Sequence, residues 1–101
     1  MANRLDLHTL FENLLGSSNA YYQPPESTRM SYPAIRYSRK NIENVYANGL
    51  VYNQHNCYEV ILIYRDPDSD LPHKIASLPM CSFDRHYTAD NLNHDVFTLY
   101  F

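Results

Sequence analysis

Only two glycines, Gly16 and Gly49, occur in the 101 residues, and tryptophan is absent. Phosphate-cradling loops need several closely spaced glycines, so the nucleotide-binding motifs built on them are excluded. Cysteine is equally sparse. Cys57 and Cys81 allow one bridge at most, and the opening MANRLDLH has no apolar signal core, so both are expected to be reduced thiols of a cytosolic product. Long apolar runs are missing too. The longest, Val60–Tyr64, falls far short of the roughly 20 residues a membrane-spanning helix requires. Positive charge is also in short supply: 8 Lys and Arg against 11 Asp and Glu leave a formal charge of −3, which argues against a general nucleic-acid binder. The one basic cluster, Arg36, Arg39 and Lys40 beside Tyr37, reads as a solvated strand end rather than a phosphate track.

What is present is ordinary in bulk and unusual in detail. With 45% hydrophobic and 19% charged residues the chain can fold, and its length allows a single domain spanning residues 1–101 with one modest core. Ten tyrosines stand out. Tyrosine offers a large contact area at low entropic cost and keeps a polar handle, which suits half-buried sheet faces and protein interfaces.

Leu7, Leu10, Phe11 and Leu14 recur at helical spacing, with Asn3 as a cap, Asp6 at the positive end of the dipole and Gly16 as the stop. Such a helix, apolar on one face, must lie on a sheet. Ala20–Gln23 reads as a short strand broken by Pro24 and Pro25, and YPAIRYS as a second. Asn48–Gly49 is the strongest hairpin signal, joining NVYA to LVYNQ, and equally suits the tip of a longer arm. In CYEVILIYR, Tyr58, Val60, Leu62 and Tyr64 point one way and Glu59, Ile61, Ile63 and Arg65 the other. This central strand is therefore expected to be covered on both faces. A second helix starts near Ser69 as N-cap, buries Leu71, Ile75 and Leu78, and ends at Pro79. SFDRHYT and DVFTLYF follow as paired strands joined by ADNLNH. The final strand, almost wholly apolar, is expected to be integral to the sheet rather than left in water. The order α-β-β-β-β-α-β-β implies an α+β fold, mainly antiparallel, with one helix at the start and one before the last two strands.

Chemistry is harder to find. Asp66, Asp68 and Asp70 resemble the opening of a calcium loop, but Leu71 and Ser77 stand where its glycine and glutamate belong. These acids read as helix-start residues. His55, Cys57, Cys81 and His86 could supply zinc ligands, yet no tight chelating pair occurs among them. Cys81, His86 and Asp84 could form a thiol site, with Asp84 and His86 on one strand face, but nothing marks a lowered thiol pKa or an oxyanion hole. The expectation is therefore no cofactor, no metal and no catalysis. Tyr21, Tyr22, Tyr46, Tyr52, Tyr87 and Tyr100 are more tyrosines than one small sheet can bury, which favours an interface. Within it Tyr21, Tyr22, Tyr46, Asn48 and Tyr52 are the candidate contact residues, and NVYANGLVYN is expected to be ordered by a neighbour.

The succession YPAIRY, YANGLVY, YEVILIYRDPDS and FDRHYTADNLNHDVFTLYF resembles the small neck proteins of tailed bacteriophages and Firmicute-type prophages, particularly tail terminators. The likeness is one of order and texture and covers nearly the whole chain. It implies a virion protein, made in the bacterial host cytoplasm, whose subunits form a ring, usually a hexamer. That ring would cap the tail tube and join it to the head, contacting the tail-tube protein and a head-completion or connector protein. The resemblance brings no enzymatic residues with it. Another neck or tail-completion role, a small thiol enzyme built around Cys81, and an inhibitor of one host protein are the alternatives.

Overall fold

The computed structural model describes residues 4–24, 29–47 and 50–101, with the backbone alone for 41–47 and 50–55. Its elements are α1 (Arg4–Leu15), β1 (Ala20–Tyr22), β2 (Ala34–Ala47), β3 (Leu50–Tyr64), α2 (Leu71–Ala76), β4 (Cys81–Ala89) and β5 (Leu92–Tyr100). They form one α+β domain around a five-stranded sheet of order β1-β2-β3-β5-β4, antiparallel except for the short β1–β2 pair.

The two helices arise where the apolar spacing places them. In α1, Leu7 and Phe11 are fully buried and Leu10 and Leu14 pack against the core at its margin. Gly16, at φ 69°, ends the helix in the left-handed conformation that favours glycine, and its N–H donates to the Glu12 carbonyl at 2.9 Å. Asn3, the expected cap, lies outside the described residues. For α2 the backbone N-cap is Asp70, without a side-chain capping bond, while the Ser69 hydroxyl accepts the Leu71 N–H at 3.3 Å. The cap expected at Ser69 is thus shared between neighbours, and Ile75 is the residue that α2 buries completely.

Alternation along the strands sorts the sheet into two faces. One carries Ile35 and Tyr37 of β2, Tyr58, Val60, Leu62 and Tyr64 of β3, and Phe97 and Leu99 of β5. Together with Leu7, Phe11 and Ile75 these make the core. Both helices therefore lie on this face. The second face was expected to be covered as well, and among the described residues no helix covers it. Ile63 and Val96 are buried there nonetheless, flanked in register by Ala34 and His94 and by Ile61 and Arg85. Neighbouring side chains on a pleated surface can shield small aliphatics without a second layer.

The strand stretches read before the second helix make three strands, because YPAIRYS runs on into NVYA and LVYNQ into CYEVILIYR. Each pair fuses into one long strand, β2 of 14 residues and β3 of 15. Their register closes at Ala47↔Leu50, a two-residue connection that matches the Asn48–Gly49 signal, although those two residues lie outside the described ones. β1 pairs only with Ile35–Tyr37 and β5 only with Cys57–Tyr64. Asn56 still exchanges backbone hydrogen bonds with Phe101, and from Glu43↔His55 outwards β2 and β3 continue as a two-stranded arm with no third strand registered on either side. The long axis measures 50 Å against 25 and 23 Å for the others.

β5 lies between β3 and β4 and pairs with both, so the final strand is integral to the sheet. Its hairpin with β4 turns in two residues rather than the expected six: Asp90 and Asn91, at φ 54° and 61°, are both left-handed, as a type I′ turn requires. Phe97 is fully buried and its ring meets Phe83 edge-on at 5.6 Å. Truncation to alanine should cost about 3–5 kcal/mol. Urea denaturation of Phe97→Ala is expected to show that loss; a change near zero would mean that β5 is not integral to the core.

Candidate functional site

The row Ile35–Leu62–Asp95–His86 crosses four strands on the helix-covered face. Asp95 is the one buried charged residue among those described, 4% exposed. A carboxylate there must be satisfied by donors. Tyr64 donates its phenol proton to Oδ2 at 2.7 Å, and His86 Nδ1 meets Oδ1 at 2.5 Å. A carboxylate only accepts, so Nδ1 carries the proton and Asp95 fixes the orientation of the His86 ring. That ring remains 46% exposed. Burial first, then the hydrogen bond to Asp95 and its charge, pushes the Tyr64 phenol up to about 12.

A bulge makes this pairing. The β4–β5 register shifts between Phe83 and Arg85, leaving Asp84 as the extra residue. Without it, simple alternation would bring Arg85 opposite Asp95; with it, His86 takes that place. The expected Asp84–His86 partnership therefore does not form. Asp84 pairs with its neighbour Arg85 at 2.8 Å, and the carboxylate that holds His86 lies on the adjacent strand. Asp95 was not foreseen as a site residue. Its signal in the sequence, an acid within an apolar strand, is visible only once the strand is known to be central.

The grouping around Cys81 also comes apart. Cys81 is half-buried, its thiol has no hydrogen-bond or ionic partner among the described residues, and burial pushes that thiol up, the reverse of what a nucleophilic thiolate needs. Cys57 pairs with Tyr100 and Cys81 with Leu99, so the two thiols project from opposite faces of the sheet and cannot share a metal. The His55 side chain lies outside the described residues. Among those described, no three His, Cys, Asp or Glu side chains come together closely enough to hold a metal ion. Asp66 and Asp68 form a local turn, the Asp68 N–H donating to Asp66 Oδ1 at 2.9 Å.

The surface carries the remaining candidates. Tyr22 packs at the core's margin, its ring 5.0 Å from Tyr37 and beneath the Arg4 guanidinium at 4.4 Å. Tyr21 is half-buried and accepts the Ser31 N–H at 3.4 Å. Tyr46 and Tyr52, as side chains, and Asn48 lie outside the described residues. Exposed aromatic surface is found instead on β4, at Phe83 (52%) and Tyr87 (38%), the latter stacked on His94 at 4.6 Å. Where β1 ends, a groove of about 430 Å³ opens along β2, lined by Gln23, Pro24, Arg36, Arg39, Glu59 and Ile61 among others. No protein-family model, curated protein or solved structure matches the chain. Among the described residues no helix is long and apolar enough to cross a membrane.

Tyr64 supplies a pH test. Its folded-state pKa is raised from 10.0 to about 12, so its contribution to stability is complete below about pH 10 and lost as pH rises through about 12. Between those limits the urea midpoint of the wild type should fall more steeply than that of Tyr64→Phe, which keeps the ring and removes the titrating group. Parallel decline in the two proteins would contradict the Tyr64–Asp95 bond.

Proposed function

We propose that the protein is a structural interaction subunit, a tail-terminator-like component of a phage neck that assembles with copies of itself into a ring. In that role it ends the tail tube and meets a head-completion or connector protein, and it acts in the virion rather than as an enzyme. The observation that carries this reading is the arm. Residues 43–47 of β2 and 50–55 of β3 extend beyond the strands that flank them, and a two-stranded ribbon is marginal in water without a third strand or a packed face. An arm of this kind gains stability from a neighbour. The helix-free sheet face and the aromatic edge strand β4 add surface of the sort that subunits bury against one another. The thiol alternative has little to draw on, since Cys81 has no base beside its thiol among the described residues and that thiol is shifted the wrong way for attack.

The test is stoichiometry in purified particles. Quantitative mass spectrometry should find about six copies for each neck, the ring size that the resemblance implies, held by one repeated heterologous contact. Particles assembled with Cys81→Ser should contain the same number. One or two copies, none at all, or loss of function in a fully folded Cys81→Ser protein would contradict the proposal.

A further inference from the structure

β4 closes the sheet at one flank and differs from its neighbour β5 in what it buries. Leu92, Asp95, Val96, Phe97 and Leu99 of β5 are buried, whereas every side chain of β4 is half-buried or exposed. Apolar burial therefore does little to hold β4 in place. The bulge between Phe83 and Arg85 also interrupts its ladder with β5. Arg85 bonds Asp84 within the strand, so that ion pair leaves β4 no better anchored. Both ends of the strand lie against left-handed turn residues that can serve as hinges, Met80 at φ 60° before it and Asp90 and Asn91 after it.

Side-chain contacts do cross from β4 to β5. Phe83 meets Phe97 edge-on, Tyr87 stacks on His94, and His86 Nδ1 donates to Asp95 Oδ1 at 2.5 Å. The last differs in kind, because its acceptor is a buried carboxylate and charge-assisted hydrogen bonds are roughly twice as strong as neutral ones. While β4 is in place, Asp95 depends on His86 at Oδ1 as it depends on Tyr64 at Oδ2. With β4 swung away, β5 becomes the outer strand, water can replace His86 at Oδ1, and Tyr64 of β3 stays bonded. The carboxylate is then satisfied in the open arrangement too, which spares that state the penalty of a buried, half-paired charge.

We propose that β4 is a detachable edge strand, latched by the His86–Asp95 bond, that opens as a unit over residues 81–89 while β1, β2, β3, β5 and both helices stay folded. Segments with few buried apolar contacts open at a lower free energy than the whole domain. Opening uncovers the backbone edge of β5, a strand of the core, so the latch decides which strand ends the sheet. This device stands whether or not the protein forms a ring.

Amide exchange of the isolated full chain, in urea concentrations below its unfolding transition, tests both the opening and the latch. In the wild type, β4 amides bonded to β5 should exchange about 100-fold faster than those of residues 58–64. Their urea dependence should be shallower, because a partial opening exposes little surface. His86→Ala removes a bond that only the closed arrangement makes, so it should speed β4 exchange about tenfold. His86→Asn, whose Nδ2 can donate from near the position of Nδ1, should recover most of that loss. Arg85→Gln, which alters an ion pair internal to the strand, should leave β4 exchange unchanged. Thermal melts will verify that the variants fold, and the wild-type comparison needs no variant. One exchange free energy and one urea slope shared by β4 and residues 58–64 would overturn the proposal. So would β4 exchange that His86→Ala leaves unaltered, or an asparagine variant as open as the alanine one.

Discussion

The hydroxyl of Tyr37 ties the first helix to the sheet, and the rest of the architecture follows from where it does so. Arg4 Nη1 donates to it at 3.3 Å and His8 Nδ1 lies 2.6 Å away, both residues on consecutive turns of α1. With Arg4 donating, the phenol can give its own proton to Nδ1 of a neutral His8, so the oxygen is satisfied in both roles. The ring below is 1% exposed and contacts Phe11 at 5.0 Å, Tyr22 at 5.0 Å and Tyr58 at 6.0 Å. Burial raises the phenol pKa against the opposing pull of Arg4. One side chain on β2 therefore fixes α1, the short β1 and the central strand β3 in relation to one another.

That arrangement commits one face of the sheet to the core and leaves the rest of the surface for other work. α1 and α2 both pack on the Tyr37 face, and at the far flank Tyr64, Asp95 and His86 link β3, β5 and the edge strand β4 through a buried carboxylate. A network of this kind is costly to leave half-satisfied and rigidifies the row when complete. The pinned edge strand then presents Phe83 and Tyr87 outwards, while the arm and the groove at the end of β1 remain without a described partner strand. The mechanical logic is a stiff body with unpaired extensions.

Much of this was legible in the residues, and the failures have physical causes. The Leu7–Phe11 stripe, the alternation from Tyr58 to Tyr64, the Ala47↔Leu50 closure and the pairing of the last two strands all follow from local periodicity or turn chemistry. The stretch SRKNIEN was not legible as strand because its polar side chains carry no period-two signal; it is held in β2 by pairing with β3, a tertiary effect. Asp90–Asn91 was hidden because both residues tolerate positive φ without announcing a turn as Asn-Gly does. The Asp95–His86 contact lay beyond reach for a further reason. A bulge changes the parity of every residue after it, so face assignments made by counting from Cys81 are inverted from Arg85 onwards.

On the proposed function the core ends where the flanking strands end, and the arm depends on a neighbour. Amide hydrogen exchange, measured on the isolated protein and on the assembled particle, addresses this directly. In the isolated chain, residues 58–64 and 95–99 should exchange slowly, with the fully supported row, and residues 43–47 and 50–55 markedly faster. On assembly the arm should slow towards the core value while the core changes little. Equally slow exchange across arm and core in the isolated protein, or an arm whose exchange assembly leaves unaltered, would contradict the account.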